Sequence, residues 1–279
     1  MTAASTVSPA APASPAAEVT PVKPVKVPPS AVFVDAMIVA RRNLIRIART
    51  PQLLIFATIQ PVMFVLLFRY VFGGSIKVPG TTYVDYLIPG IIVQTVVFGA
   101  TSTAVGLSQD MSKGIIDRFR SLPMARSAVL AGRTIADLVR NVFVVLLMIV
   151  VGTAVGFRFH NGFLPAVAAV LVALLLGYCL SWVFALIGLS VPDPESAQLA
   201  GFLPIFPLVF ASSVFTTINS MPGWLQAFAK VQPITRAANA VRALTQGGAV
   251  ATNLIWTIVW SLAIISVFAP LAVRRYRKG

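Results

Sequence analysis

What most constrains this chain is the recurrence of charge-free apolar runs long enough to cross a bilayer, separated by short basic segments. The hydrocarbon core demands about 20 apolar residues per crossing, in helix, because the backbone must satisfy itself there. Such runs fall at 52–68, continuing past Arg69 to Phe72, then within 86–109, at 141–157 and within 161–192. Two more extend from about 198 to 218 and from about 253 to 273. Composition agrees, since 11% of residues are charged where a soluble domain carries about 25%. The expectation is an all-α integral membrane fold of six transmembrane helices.

The charges set orientation and exclude one partner. A net charge of +14 invites a nucleic-acid reading, but such binders interleave basic residues with aromatics along a groove. Here the basic residues form blocks between apolar runs, so nucleic acid is excluded. With both termini inside, sixteen Lys and Arg fall on the cytoplasmic side and six outside: Arg69, Lys77, Arg158, Lys230, Arg236 and Arg242. The positive-inside rule therefore puts both ends in the cytoplasm.

Residues 1–30, rich in Ala, Pro, Ser and Thr, read as a disordered cytoplasmic tail without a signal peptide. Over 31–50 a helical period places Phe33, Met37, Ala40, Leu44 and Ile47 on one face, with Asp35, Arg42, Arg46 and Arg49 opposite. That suits an interfacial helix among anionic lipid headgroups; a solvated helix resting on a partner domain is compatible too. The transmembrane domain spans 51–275. Within it, 219–251 reads as two short amphipathic helices dipping into the outer leaflet before the last span. Met221-Pro222-Gly223-Trp224 opens the first, and Gln232-Pro233 separates it from the second. Ala237, Val241 and Leu244 form the apolar face of that second helix, and Arg236, Asn239 and Arg242 the polar one.

Several chemistries are missing. Cys179 is the single cysteine and His160 the single histidine, so neither a disulfide nor a metal site is expected, and His160 reads as a solvated loop residue. No ionisable residue stands in the middle of a span, which argues against a proton-coupled carrier or a membrane-embedded hydrolase. No Gly-x-x-x-x-Gly-Lys-Ser/Thr occurs. Leu244-Thr245-Gln246-Gly247-Gly248 faintly resembles an ATPase signature loop but ends a short helix, where glycines are expected. Gly152 and Gly156 have a small-xxx-small spacing that permits close helix contact. The chain is expected to be no enzyme and to hold no cofactor.

The cytoplasmic loop 110–140 is where polar chemistry concentrates. Met111, Ile115, Phe119 and Leu122 repeat at helical spacing, Asp117, Arg118 and Arg120 flank them, and Pro123 follows. A short helix exposing Ile116 and Phe119 between charges suits a groove on a soluble partner. By composition alone, an interfacial helix lying on lipid fits as well.

This stretch resembles the cytoplasmic loop of the ABC type-2 permeases, in particular the daunorubicin-resistance permease family. The resemblance is carried by Gly114-Ile115-Ile116-Asp117-Arg118-Phe119-Arg120-Ser121-Leu122-Pro123, then Arg126, Ala128-Val129-Leu130, Gly132-Arg133 and Ala136-Asp137. A second stretch, Met221-Pro222-Gly223-Trp224-Leu225-Gln226, is accompanied by Pro233, Asn239, Val241-Arg242 and Gly247-Gly248. The resemblance covers about residues 35–275. It implies a coupling helix between spans two and three, with Asp110, Met111, Lys113, Gly114, Ile115, Ile116, Asp117, Arg118, Phe119, Arg120, Leu122 and Pro123 serving the ATPase. It also implies two copies of a separate ABC ATPase that hold ATP and Mg, and a second permease subunit, identical or related. The cargo it implies is a hydrophobic or amphipathic drug or lipid, exported from the cytoplasm or inner leaflet of a bacterial plasma membrane. Gln60, Phe64 and Phe68 in span one, Gln94 and Thr95 in span two, and Pro204 and Pro207 in span five are the candidate substrate route. A non-transporting scaffold that docks a soluble partner, or a secondary carrier, are the alternatives.

Overall fold

The computed structural model describes residues 29–74, 76, 78, 80–116 and 126–278. Among these there is no strand. The helices are α1 (Pro29–Arg49), α2 (Pro51–Leu67), α3 (Tyr83–Ser112), α4 (Arg126–Ala154), α5 (Phe163–Gly188), α6 (Pro194–Phe210), α7 (Gly223–Val231), α8 (Pro233–Gln246) and α9 (Ala251–Lys278). Four of them, α3, α4, α5 and α9, are long and apolar enough to cross a membrane. Helices α2 and α6, which occupy the first and fifth expected crossings, have 17 residues each. A π-helical turn, Phe68–Phe72, prolongs α2.

Local signals explain most boundaries. Proline stands at the start of α2, α6 and α8, where its missing N–H has no helical acceptor to lose. Thr82 caps α3 by accepting from the Asp85 amide at 3.2 Å. Asp193 caps α6 through the Ser196 amide at 2.7 Å. This bond and a second from the Ser196 hydroxyl at 2.8 Å hold the Asp193 carboxyl below its ordinary range. As the sequence predicts, a turn leads into α7 at Gly223 and the chain breaks at Gln232-Pro233.

Helix α3 is the axis of the fold: every residue from Tyr83 to Val97 is buried. It packs against α2, α4, α5, α6 and α8. At 30 residues it is about 45 Å long, some 15 Å more than the hydrocarbon thickness. Helix α9 lies at the periphery and exposes Ile255, Trp256, Val259, Leu262 and Val267, an apolar face that fits lipid. Ile55, Ile59 and Met63 on α2, and Leu199, Leu203 and Phe206 on α6, are exposed in the same way.

Three expectations need correction. Helix α4 begins at Arg126 rather than Asn141 and ends at Ala154, so Gly156 falls beyond it and the small-xxx-small pair is not one helical surface. Helix α1 lies along α4, burying Ala36, Val39, Ala40 and Asn43 while Phe33 and Met37 stay exposed. The small alanines allow the closer approach, so the buried stripe is rotated from the expected one. Helix α8 is not a surface helix either: Ile234, Ala237, Ala238, Val241, Arg242 and Thr245 are all buried. Of the tail, residues 1–28 lie outside the described residues, and Pro29 and Ser30 already belong to α1.

Candidate functional site

Two polar centres interrupt the apolar bundle, one near each end of α3. At the end where α3 stops, Arg133, Asp137 and Arg140 follow one another at i, i+4 and i+7 on α4, a spacing that puts all three on one face. Opposite them α3 presents Thr103 and Asp110, also seven apart, with Gly106 between. The Arg133 guanidinium packs directly over Gly106, where a Cβ would overlap Nη2. Any side chain there would expel the arginine.

Asp110 is 5% exposed and is shared by three guanidiniums from two helices. Arg42 and Arg46 of α1 approach it at 3.6 and 3.4 Å, and Arg133 of α4 at 3.8 Å. Asp137 in turn takes Arg133 Nε at 3.4 Å, Arg140 Nη1 at 3.9 Å and the Thr103 hydroxyl at 2.7 Å. Arg140 Nη1 donates to the Ser102 hydroxyl, and its Nη2 to the Gly99 carbonyl at 2.5 Å. Desolvation lowers the Arg42 guanidinium from its ordinary pKa, against the pull of Asp110 in the other direction. So of Arg42, Arg46 and Arg49 only Arg49 is purely outward; Arg42 and Arg46 tie α1 to the end of α3, where Arg133 of α4 shares Asp110 with them. Arg133, Asp137 and Arg140, expected in a loop, stand on a membrane-length helix because two carboxylates offset them.

Two adjoining cavities open beside this network. The smaller, about 110 Å³, brings together Gln60 of α2, Gln94 and Thr95 of α3, and Arg140 and Asn141 of α4. Gln94 is 2% exposed and its Oε1 has no hydrogen-bond partner, whereas the Thr95 hydroxyl is taken by the Ile91 carbonyl at 2.7 Å. The larger, about 380 Å³, shares Ala57, Ser102 and Arg140 with it and extends to Asn43, Arg46 and Gln198. The other residues of the expected route lie elsewhere. Phe64 and Phe68 stack with Phe215 at 5.6 and 4.5 Å, and Phe64 also meets Phe210 at 6.2 Å. Pro204 and Pro207 are on the exposed side of α6.

The expected coupling segment is described only in its first part. Asp110 and Met111 belong to the last turn of α3, and Lys113 is exposed. Gly114 adopts φ +64°, a left-handed conformation that ends the helix and favours glycine. Ile116, expected to be exposed, is 3% exposed and packs with Leu107, Val129, Leu130 and Tyr276. The left-handed turn folds it back onto the bundle, so it is an internal anchor of the segment. Asp117, Arg118, Phe119, Arg120, Leu122 and Pro123 lie outside the described residues.

The second polar centre was not foreseen. Arg242 of α8 is buried with no carboxylate among its hydrogen-bond partners. Its Nε donates to the Tyr86 carbonyl at 2.7 Å and its Nη1 to Asn239 Oδ1 at 2.9 Å and Ser213 Oγ at 3.2 Å. Nη2 donates to the Val214 carbonyl at 3.0 Å and to that of Ser213. The guanidinium lies 3.7 Å from the Tyr86 ring centroid. Tyr86 donates its own hydroxyl to the carbonyls of Ser213 and Thr216, and Tyr83 to that of Phe215. The non-helical turn after α6 thus has its main chain satisfied by α3 and α8. Nearby, exposed His160 is hydrogen-bonded to Gln246 at 2.7 Å. Residues 244–248 close α8, as the sequence reading held. Among the described residues no group of His, Cys, Asp and Glu could hold a metal.

Four long apolar helices packed around a buried axis have the build of a multi-pass membrane protein. The chain belongs to the ABC-2 type transporter family, whose signature matches residues 35–245. It is 37% identical over 227 residues to the daunorubicin resistance ABC transporter permease protein DrrB1 of Streptomyces coeruleorubidus, covering 81% of this chain and 80% of that one. Over 250 residues it is 29% identical to a protein of Mycobacterium tuberculosis named a probable doxorubicin resistance ABC transporter permease protein, DrrC, covering 88% and 89%. The doxorubicin resistance ABC transporter permease protein DrrB of the same organism is 25% identical over 203 residues, covering 71% and 70%. The family makes this chain a transport subunit rather than an enzyme.

Proposed function

We propose that the chain is the membrane-spanning half of an ATP-driven exporter that moves a hydrophobic or amphipathic compound, a drug or a lipid, out of the cytoplasm or inner leaflet. The observation that carries this reading is the meeting of Gln60, Gln94 and Arg140 around one cavity inside an otherwise apolar bundle. An apolar pocket with a few convergent polar groups is how proteins orient small amphipathic ligands. The drug-resistance names of the relatives support the same reading.

In this proposal α2 with its π turn and α6 supply the first and fifth of six crossings, and both termini lie in the cytoplasm of a bacterial cell. Two copies of a separate ABC ATPase hold ATP and Mg and engage the segment 110–123, and a second permease, identical or related, completes the assembly. Everted vesicles containing the chain and its ATPase test it. ATP should drive uptake of a fluorescent amphipathic compound, and collapse of the ion gradients should leave uptake intact. Phe119→Asp should insert normally yet lose ATP-driven uptake, because a charge would enter the partner's apolar groove. Uptake that follows the ion gradients instead of ATP would refute the exporter reading.

A further inference from the structure

The larger cavity holds more charged groups than transport of a purely hydrophobic cargo would require. It is about 380 Å³ in volume, and three arginines, Arg46, Arg133 and Arg140, line it against one carboxylate, Asp137. Counting Asp110 as well, the guanidiniums still outnumber the carboxylates. Asn43 of α1 also lines it; this side chain is 3% exposed, and neither its Oδ1 nor its Nδ2 has a hydrogen-bond partner. A buried amide with both ends unsatisfied is costly unless something binds there.

Position narrows the ligand. Ser102 and Arg140, at the inner limit of this cavity, meet each other ten residues before the end of α3, about 15 Å along the axis. With the start of α3 taken at the outer hydrocarbon boundary, as the proposed topology has it, the excess length of about 15 Å falls at this end and sets the cavity at the level of the inner-leaflet headgroups. Its deep end shares Ala57, Ser102 and Arg140 with the smaller cavity of Gln60 and Gln94. An anion attached to an apolar tail would therefore have its charge met by arginine and its tail directed to the bundle.

We propose that this cavity binds the phosphate-type anionic headgroup of an amphiphile entering from the inner leaflet, with Asn43, Arg46 and Arg140 as its ligands. The proposal rests on the exporter reading and narrows its cargo or its co-transported lipid to an anionic class. The full chain, reconstituted in vesicles of equimolar phosphatidylglycerol and phosphatidylcholine and then extracted, should retain phosphatidylglycerol selectively. Asn43→Leu loses no intramolecular hydrogen bond, so it should melt no lower than wild type. It should nonetheless retain about tenfold less phosphatidylglycerol, as should Arg46→Gln. Arg41→Gln, on an exposed position of α1, should retain the wild-type amount, and millimolar inorganic phosphate should displace none of it. Equal retention in Asn43→Leu, an equal loss in Arg41→Gln, or displacement by inorganic phosphate would each overturn the headgroup site. ATP-driven uptake of the fluorescent compound, measured for the same variants in everted vesicles that also contain the ATPase, separates that failure from failure of the exporter reading.

Discussion

Replacing Arg242 by methionine is the sharpest test of how this bundle is held together. The change keeps an unbranched apolar stem but removes five donors at once. The Val214 carbonyl loses its donor in a turn that has no helix to satisfy it, that of Ser213 keeps only the Tyr86 hydroxyl, and the Tyr86 ring loses the cation 3.7 Å from its centroid. The orphaned Val214 carbonyl at about 1–3 kcal/mol and a desolvated cation–π contact at about 2 kcal/mol together come to about 3–5 kcal/mol. At about 2–4 °C per kcal/mol for a chain of this size, the midpoint should fall by about 6–20 °C. Fluorescence-monitored melting of the full chain in detergent reads this directly. Arg242→Lys keeps the charge without the planar fork, so it should fall in between. Tyr86→Phe loses only two hydroxyl bonds and should cost about 1–2 kcal/mol. If Arg242→Met melts within about 2 °C of wild type, Arg242 is not the fastening the geometry makes it.

Asp110→Asn should loosen α1 by about 1–2 kcal/mol, discounted because Arg42 and Arg46 are partly exposed; hydrogen exchange of residues 36–46 should rise, and unchanged protection would refute the clamp. Gln60→Leu should change which compounds are exported while assembly with the ATPase persists, and an identical substrate profile and rate would move the route elsewhere. In a Cys179→Ala background, a cysteine at Thr252 should react with an impermeant thiol reagent in whole cells, whereas one at Ser112 should react only after permeabilisation. Labelling of position 112 from outside would overturn the proposed orientation.

Where the sequence could be read, its legibility came from what the bilayer forbids. Helices α3, α5 and α9 contain the expected second, fourth and sixth crossings because long runs free of charge have no alternative in lipid. The same rule hid the start of α4. A charge-based reading stops a span at Arg140, since it cannot know that Thr103 and two carboxylates will receive the arginines. The i, i+4, i+7 spacing of Arg133, Asp137 and Arg140 was the available sign that these residues share a helix face.

The polar residues of α8 were harder, and the reason is physical. Periodicity grouped Arg236, Asn239 and Arg242 as one polar face, and a polar face ordinarily meets water. In the fold Arg242 and Asn239 turn inward, because the carbonyls of the turn after α6 need donors that no helix provides. Main-chain carbonyls are common to every residue type, so a site built from them leaves no trace in composition or spacing. The family-like Val241-Arg242 pair was the one trace, and it marked the position without giving its role. The candidate route divides along the same line. Gln60, Gln94 and Thr95 converge because polar side chains inside apolar helices must seek one another or a shared cavity. Phe64 and Phe68 obey no such demand and pack with other phenylalanines, while Pro204 and Pro207 mark a helix that presents them outward.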